Sequence, residues 1–482
     1  MRNYHTTTQV EAAEAPLLAA LPDGTLMRRA AYGLARITAA ELRARTGGVA
    51  GRRVTLLVGS GNNGGDALWA GALLRRRGVE VTAILLNPER AHPAGLAALR
   101  AAGGRVHADP AADPGNPDLV LDGIVGISGR GALRPAAADL VARVGAPIVA
   151  VDLPSGVDPD TGAVDGPAVS AAVTVAFGAL KPVHVLAADR CGRIEPVPIG
   201  LDLPEPDLVA FEPSEVGRAW PVPGAADDKY SQGVVGVVAG SRRYPGAAVL
   251  TAGAAVTATA GMVRYAGRAA AEVLSRWPEV VAASSPADAG RVQAWIVGPG
   301  IGLDDAGLDE LRTVLASELP VLVDADGLTL LARNPGLVCG RTAPTLLTPH
   351  AGEFERLAGV SPAPDRVAAT RALAADWGVT VLLKGRATVI ADPAGRVFVN
   401  DAGSSWAATA GSGDVLSGIV GALLATGLEP ALAAAMGARA HALAANLAAR
   451  EDSAGLAPIS ASPLLTHLRA AIRILRAHVP ES

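Results

Sequence analysis

Short apolar segments alternate with helical segments between about residues 54 and 200. The apolar segments are rich in β-branched residues and end in turn residues, as in VTLLVGS, VEVTAILL, LVLDGIVG, PIVAVDLPSG and AVTVAFG. Between them lie segments whose apolar residues have helical spacing, as in DALWAGALLRRRG and AAADLVARVG. Apolar strands separated by helices are typical of a parallel sheet that is covered on both faces. The pattern therefore predicts a three-layer α/β/α domain, onto which the helical segment LMRRAAYGLARITAAEL packs.

A second alternating region follows a proline-rich segment. At 482 residues the chain is too long for one ordinary core. The segment from about 203 to 226 has repeated prolines and little periodicity, which is typical of a linker. Apolar segments then resume with GVVGVVAGS, AWIVGPGIG, PVLVDADGL, TLLTPH and VTVLLKG. We predict two unrelated α/β domains, over residues 1–205 and 227–482, joined by a linker over 206–226.

Charge and cysteine content exclude several classes of function. The net charge is −4 with acidic and basic residues well mixed, which argues against nucleic-acid binding. Cys191 and Cys339 are far apart and neither belongs to a C-x-x-C pair, which excludes a thiolate zinc site and fits a reducing compartment. No apolar run is long enough for a membrane span, and the first residues lack the pattern of a secretion signal. We expect a cytoplasmic protein that binds neither membranes nor nucleic acids.

The turn GSGNNGGD, residues 59–66, follows the first strand. Gly59, Gly61 and Gly64 satisfy the G-x-G-x-x-G spacing of dinucleotide-binding turns. A dehydrogenase of that type also needs an acidic residue at the end of the second strand to bind the ribose. Here the second strand ends in Asn87-Pro88. The ordinary NAD-oxidoreductase interpretation is therefore disfavoured.

Polar side chains follow three of the predicted strands. They are Asn62, Asn63 and Asp66 after the first strand, Asp122 in LVLDGIVGISGRG, and Asp152 with Ser155 in IVAVDLPSG. Because carboxyl ends of neighbouring parallel strands meet at one crevice, these oxygens could hold a hard cation while glycine N–H groups receive phosphate. The alternative is that each aspartate only caps a helix or forms a turn.

The motifs GSGNNGGD, DGIVGISGRG and VDLPSGVDPDTG, in this order, resemble the NAD(P)H-hydrate epimerase family over residues 10 to 205. The resemblance implies a Rossmann-like fold and a K⁺ ion held by Asn63, Asp122 and Ser155. We further expect Asp152 to perform the proton chemistry. One departure is Ala67, where the family generally has glycine, and we expect only a slight effect. The implied substrate contacts are Asn62, Asn63, Gly64, Gly65, Asp66, Gly126, Ile127, Ser128, Gly129, Arg130, Gly131, Ala132 and Asp152.

The second half contains TAGSGDVLSGIVGALL. Gly413 leads into a helix predicted to begin near Asp414, where free N–H groups attract a phosphoryl group and a carboxylate can take a proton. The alternative is a plain loop with Asp414 as a helix cap. There is no P-loop sequence. Other strands end at chemically useful residues: Lys384 with Gly385, Asp324 with Asp326, and His350 with Glu353.

This half resembles the ADP/ATP-dependent NAD(P)H-hydrate dehydratases, which have a ribokinase-like fold, through VGPGIG, DADGL, LTPHAGEFERL, LLKGRATVI and AATAGSGDVLSGI. The resemblance covers about residues 227 to 475. It implies that Ala248, Gly302, His350 and Asp414 contact the hydrated substrate, with Ala247 as an alternative to Ala248. Asp228 stands where the family commonly has histidine. Mg²⁺ would accompany ADP or ATP, bound mainly by phosphates and water, with Glu353 as a weaker protein candidate. The implied nucleotide contacts are Lys384, Gly385, Arg386, Ala387, Thr388 and Gly413.

Together the two halves predict a bifunctional repair enzyme. Its partners would be small molecules: hydrated NADH (NADHX) or hydrated NADPH (NADPHX), and ADP or ATP. Assembly into a homo-oligomer is left open by the sequence. One alternative is a small-molecule kinase, because the G-S-G-D motif occurs on the same scaffold. Another is that the first domain only binds a ligand without catalysis.

Overall fold

The computed structural model describes residues 1–259, 261–450 and 455–478. The chain divides into two compact units. The N-terminal unit is Asn3–Leu208, and the C-terminal unit is Val209–Ser482 together with Met1–Arg2. The segment 206–226, predicted as a linker, contains a strand, Leu208–Ala210, and a helix, Pro213–Ala219. This segment is therefore not devoid of secondary structure.

The first 208 residues form eight strands and seven helices. The strands are β1 (Arg2–Tyr4), β2 (Arg53–Val58), β3 (Glu80–Leu85), β4 (Arg105–His107), β5 (Leu119–Gly123), β6 (Ile148–Val151), β7 (Val173–Phe177) and β8 (Arg193–Val197). The helices are α1 (Thr7–Ala20), α2 (Thr25–Thr46), α3 (Asn62–Arg75), α4 (Pro93–Ala101), α5 (Pro135–Ala142), α6 (Val183–Leu186) and α7 (Ala188–Cys191), with a 3-10 turn at Pro88–Arg90.

The sheet of the N-terminal unit is parallel throughout, with strand order β4-β3-β2-β5-β6-β7-β8. The chain runs outward in one direction from β2 to β4 and in the other from β5 to β8. Ligands of open parallel sheets bind at such a switch, outside the carboxyl ends of the central strands. Val58 pairs with Gly123, so the residues that follow β2 and β5 lie side by side.

Both faces of this sheet are covered. Adjacent residues of β2 point to opposite sides: Leu56 packs in a cluster with Leu34 of α2 and Leu68 of α3. Leu57 packs in another cluster with Leu140 of α5. The predicted three-layer α/β/α architecture is confirmed.

The C-terminal unit continues the numbering. Its strands are β9 (Leu208–Ala210), β10 (Val234–Val238), β11 (Met262–Tyr265), β12 (Val281–Ala282), β13 (Ala294–Val297), β14 (Val321–Val323), β15 (Thr345–Leu347), β16 (Thr380–Leu383), β17 (Ala387–Ala391) and β18 (Val397–Asp401). Its helices are α8 (Pro213–Ala219), α9 (Pro245–Ala258), α10 (Ala270–Arg276), α11 (Asp305–Leu315), α12 (Asp326–Arg333), α13 (Ala351–Ala358), α14 (Arg366–Trp377), α15 (Ser412–Ala425), α16 (Pro430–Ala448) and α17 (Ala461–Ala477). Two 3-10 turns lie at Pro286–Asp288 and Pro335–Leu337.

Within the C-terminal unit the strand order of the larger sheet is β9-β18-β17-β16-β15-β14-β13-β10-β11-β12. The strands from β10 to β16 pair in parallel, whereas β16, β17 and β18 form an antiparallel meander. Because aromatic residues make up only 3% of the chain, small residues do much of the packing. At Gly418 of α15 a Cβ atom would lie 2.3 Å from the carbonyl oxygen of Thr251 on α9. The two buried helices therefore approach each other more closely than any larger residue at this position permits.

Candidate active sites

The GSGNNGGD turn lies at the carboxyl end of β2 and continues directly into α3. A Cβ atom on Gly59 would lie 1.8 Å from the carbonyl oxygen of Ile124, and one on Gly64 would lie 2.3 Å from the oxygen of Gly59. These two glycines are required because the backbone packs against backbone. Asn62 and Asn63 consequently stand in the first turn of the helix, next to the end of β5.

The three residues predicted to bind K⁺ lie together behind this turn. The Ser155 hydroxyl donates to Asp122 Oδ1 at 2.7 Å, and the Ser155 amide donates to Asp122 Oδ2 at 2.9 Å. The Asn63 amide donates to the carbonyl oxygens of Val125 and Val151. The Val125 amide donates in turn to the Ser155 hydroxyl at 3.0 Å. Side-chain and carbonyl oxygens therefore gather within one buried network.

The chemistry of this network fits a monovalent cation. Asp122 is fully buried, and no described lysine or arginine side chain forms an ion pair with it. Burial raises the pKa of Asp122 to about 6, although hydrogen bonds from Ser155 and Ile124 pull it down. A buried carboxyl group without a basic partner, surrounded by neutral oxygens, is a suitable donor set for a hard cation.

Asp152 follows β6 in an unusual backbone conformation. Its φ is 70°, which is uncommon for a residue with a side chain. Its carboxylate accepts from the ammonium group of Lys181 at 2.5 Å and from the Phe177 amide at 2.9 Å. The ring of His184 donates from Nε2 to the Asp152 carbonyl oxygen at 2.9 Å. Sequence reasoning missed Lys181, which is only 1% exposed.

A cavity of about 350 Å³ lies beside Asp152. It brings together Asn62, Asn63, Asp66 and Asp152, and Ile127 contributes from the loop after β5. The cavity also contains Glu14 of α1, which sequence reasoning did not identify. The remaining expected contacts are outside the cavity lining; they are Gly64, Gly65, Gly126, Ser128, Gly129, Arg130, Gly131 and Ala132.

The loop after β5 is held at its far end by charge. Arg130 is half-exposed and lies 3.3 Å from an oxygen of Asp160 and 3.6 Å from an oxygen of Asp158. Asp160 also accepts from the amide and the hydroxyl of Thr7, at the start of α1. The loop and the first helix are therefore tied together on one side of the cavity.

In the C-terminal unit, Asp414 lies in the first turn of α15 and lines a cavity of about 550 Å³. The helix begins at Ser412, two residues earlier than predicted, and its first turn has no side-chain cap. Free N–H groups therefore face this end of the cavity. Burial raises the pKa of Asp414 to about 7, the charges of Asp324 and Asp326 add to this, and Lys384 opposes it.

Asp324 and Lys384 form the charged wall of the same cavity. Lys384 Nζ lies 2.8 Å from Asp324 Oδ1 and 3.6 Å from Glu353 Oε2. The Ser417 hydroxyl of α15 donates to Asp324 Oδ2 at 2.7 Å. Burial lowers the pKa of Lys384, but Asp324 and Glu353 outweigh this and raise it. The ammonium group is therefore retained in the wall of the cavity.

The residue between the two aspartates of DADGL is strained. Ala325 has φ 52° and ψ −119°, a combination that suits glycine. On one side of it Asp324 contacts Lys384, and on the other Asp326 accepts from the Gly302 amide at 2.9 Å. The strained residue thus directs two carboxylates to different partners.

His350 begins α13 and lines the cavity. Its Nδ1 accepts hydrogen bonds from the amides of Gly352 and Glu353, so this ring nitrogen caps the start of the helix. The side chain is 56% exposed and available to a ligand. A second histidine, His441, was not identified from the sequence; its Nε2 donates to the Ser412 carbonyl oxygen at 2.9 Å and anchors the start of α15.

The other predicted positions of this site divide into two groups. Ala248 is fully buried in the hydrophobic core, whereas its neighbour Ala247 is half-buried, so Ala247 is the better candidate for a ligand contact. Ala387 and Gly302 are outside the cavity lining. The predicted residues that line it are His350, Lys384, Gly385, Arg386, Thr388, Gly413 and Asp414.

No described residues form a group of three or more His, Cys, Asp or Glu side chains arranged to hold a metal ion. Near Lys384, Glu353 is buried and its carboxylate accepts from the His350 amide at 2.8 Å. Glu353 is therefore already engaged within α13.

Comparison with known proteins assigns both units. The family model for NAD(P)H-hydrate dehydratase matches residues 235–467, and that for the YjeF-related protein N-terminus matches 23–183. The bifunctional NAD(P)H-hydrate repair enzyme Nnr of Mycobacterium tuberculosis H37Rv is 62% identical over 478 residues, which cover 98% of this chain and 100% of that protein. The corresponding enzyme of Mycobacterium leprae is 59% identical over 478 residues with the same coverage.

The chain belongs to the bifunctional NAD(P)H-hydrate repair enzymes.

A solved ribokinase-like superfamily protein from Enterococcus faecalis V583 is similar to this repair enzyme in fold. Its TM-score is 0.50 at 22% identity, and the match covers 57% of this chain and 98% of that one. The predicted ribokinase-like fold is confirmed. In residues 1–259, 261–450 and 455–478 the repair enzyme has no helix that is both long and apolar enough to span a membrane.

Proposed function

We propose that this chain performs both steps of NAD(P)H-hydrate repair. The N-terminal unit interconverts the R and S epimers of NADHX or NADPHX, and the C-terminal unit dehydrates the S epimer with ADP or ATP. The products are NAD(P)H, phosphate, and AMP or ADP. The observation that carries the proposal is that each of two units, in a chain similar to repair enzymes over its whole length, has a cavity containing a buried carboxyl group at the carboxyl ends of parallel strands.

The epimerisation needs only proton exchange. The hydrate carries a hydroxyl on C6 beside the ring nitrogen, so that loss and return of the hydroxyl inverts the carbon. We assign Asp152 to this proton chemistry, which is typically worth about 10²–10⁴-fold in rate. Asn62, Asn63 and Asp66 would contact the substrate from α3. K⁺, held by Asn63, Asp122 and Ser155, would supply positive charge beside the substrate.

The dehydration needs a better leaving group than hydroxide. Asp414 would take the proton from the C6 hydroxyl as that oxygen attacks the terminal phosphoryl group of ADP or ATP. Phosphate then leaves with the electron pair of the C6–O bond, and loss of a proton from C5 restores the ring double bond. The amides that begin α15 and the ammonium group of Lys384 would hold the phosphoryl group. Mg²⁺, bound by nucleotide phosphates and water, would neutralise charge on the nucleotide.

The remaining expectations are proposals of the same kind. The epimerase domain is residues 1–205 and the dehydratase domain 227–482. We propose a cytoplasmic location, supported by the wide spacing of Cys191 and Cys339, neither of which belongs to a C-x-x-C pair.

Incubation of the full-length chain with ADP, Mg²⁺, K⁺ and an equal mixture of epimers of hydrated NADH tests both activities. We expect dihydronicotinamide absorbance to return for both epimers, with one phosphate released per molecule repaired. An Asp152→Asn variant should repair the S half rapidly and the R half only at the spontaneous rate. An Asp414→Asn variant should repair neither half.

Two outcomes favour the alternatives. A stable phosphorylated product without new absorbance would indicate a small-molecule kinase. An Asp152→Ala variant that repairs both halves at the rate of the unmodified chain would remove the catalytic assignment in the first domain.

A further inference from the structure

Four carboxyl groups line the N-terminal cavity together with a single lysine; Asp23 is exposed, and the other three are not. Glu14 projects from α1, Asp66 from α3, and Asp152 from the end of β6. The lysine is Lys181, which precedes α6. The full set of titratable side chains lining the cavity is Glu14, Asp23, Asp66, His92, Asp152 and Lys181.

The lysine is engaged with one of the three. Lys181 Nζ donates to Asp152 Oδ1 at 2.5 Å and to the Phe177 carbonyl oxygen at 2.9 Å. The Phe177 amide donates to the same oxygen of Asp152. Asp152 therefore has two donors on one carboxylate oxygen, one of them charged.

Asp66 has no comparable support. It is 5% exposed, and its Oδ1 is buried without a hydrogen-bond partner among the described residues. Burial raises the pKa of Asp66 well above its ordinary value, and the charges of Asp152 and Glu14 raise it further. Two carboxyl groups on one cavity thus differ in their surroundings: Asp152 is paired with a cation, whereas Asp66 is buried without one, an arrangement that suits a base and an acid.

We propose that Asp66 is a second catalytic residue of the epimerase, whose protonated carboxyl group protonates the departing C6 hydroxyl. Asp152 then takes a proton from the water that returns, and Lys181 is the positioning residue that holds the carboxylate of Asp152 in place. The proposal rests on the epimerase activity proposed above.

The step balances without any further reactant. The proton of Asp66 moves to the C6 hydroxyl oxygen, the C6–O bond breaks, and its electron pair leaves with the water formed. The lone pair of the ring nitrogen forms a double bond to C6. Water then adds to the opposite face of C6 and gives one proton to Asp152. After a turnover Asp66 is ionised and Asp152 protonated, so the reverse reaction begins from that state with the roles exchanged.

The test measures R-to-S conversion by chromatography of the two epimers, in the full-length chain with K⁺ and across a range of pH. Asp66→Asn keeps the shape of the side chain and removes its proton donor. We expect kcat to fall by about 10²–10⁴-fold with KM changed by less than about threefold. We also expect the decline of kcat/KM at high pH, where Asp66 loses its proton, to disappear. Glu89→Gln, an exposed acid-to-amide change outside the cavity, is the matched control and should behave as the unmodified chain.

A second variant tests the positioning role. In Lys181→Gln the carboxylate of Asp152 loses the cation that holds it, so kcat for R-to-S conversion should fall while KM changes by less than about threefold. A loss confined to substrate affinity would overturn this role. The dehydratase activity of the same chain, expected to be unchanged, reports on the C-terminal unit, so hydrogen exchange of peptides from β6 and β7 checks that the N-terminal unit is still folded.

The outcomes distinguish the acid role of Asp66 from the epimerase activity on which it depends. If the unmodified chain does not interconvert the epimers, the proposed epimerase function fails. If it does, but Asp66→Asn retains more than about a tenth of kcat or loses only substrate affinity, then Asp66 merely binds substrate and the acid assignment is wrong.

Discussion

Replacement of Lys181 by methionine should remove a large part of the stability of the N-terminal unit. The side chain is 1% exposed, and its ammonium group lies 2.5 Å from Asp152 Oδ1. At this distance of 2.5 Å and an effective dielectric constant of about 20, the Coulomb attraction is about 7 kcal/mol, from which desolvation of both groups subtracts. Removing one partner of a buried pair typically destabilises by about 3–5 kcal/mol, because the other charge stays buried. The total free energy of unfolding of a domain is only about 5–15 kcal/mol.

Hydrogen exchange of peptides from β6 and β7 in the full-length chain measures this loss within the N-terminal unit. The double variant Lys181→Met with Asp152→Asn should regain most of it, since neither charge then stays buried. A loss below about 1 kcal/mol, or a double variant that is as unstable as the single one, would refute the reasoning.

Three further predictions concern other parts of the chain. The rate of dehydration should rise with pH and reach half its maximum near pH 7, because Asp414 acts as a base only once ionised and its pKa is about 7. The Asp414→Asn variant should lose this pH dependence, and its dehydration rate should fall by about 10²–10⁴-fold. Its epimer interconversion, followed by chromatography, should be unchanged. Gly418→Ala should lower the melting temperature of the dehydratase by an amount corresponding to about 1–3 kcal/mol, because its Cβ would meet the Thr251 oxygen at 2.3 Å; Gly246→Ala on α9, which has open space, is the control. Replacing K⁺ by tetramethylammonium should slow epimerisation but not dehydration of the S epimer, and equal rates of epimerisation in the two salts would contradict the proposed cation site.

The predicted site residues that the structure brings together are those that directly follow a strand. Asp122 and Asp152 are recognisable because each ends an apolar segment, and parallel strands bring such ends together. Lys181 could not be found in this way, since its pairing with Asp152 spans 29 residues and depends on where the chain returns after β7. The only signal was a lysine in the otherwise apolar stretch AVTVAFGALKPV, which predicts either an exposed end or a buried ion pair.

Local packing accounts for the other differences. The choice between Ala247 and Ala248 depends on which face of α9 meets the core, and an almost entirely apolar helix has no polar face to reveal this. In the segment 206–226, prolines concealed a strand of three residues and a helix of seven, both too short for periodicity to be recognised.

At Ala325, a substitution that raises thermal stability is expected to lower catalytic activity. Glycine would adopt φ 52° and ψ −119° without strain, so Ala325→Gly should gain up to about 1–3 kcal/mol. A laboratory selection that rewards survival at high temperature alone would therefore favour glycine here. The same change removes the strained residue that directs Asp324 and Asp326 to different partners, so the more stable protein would hold Lys384 less firmly.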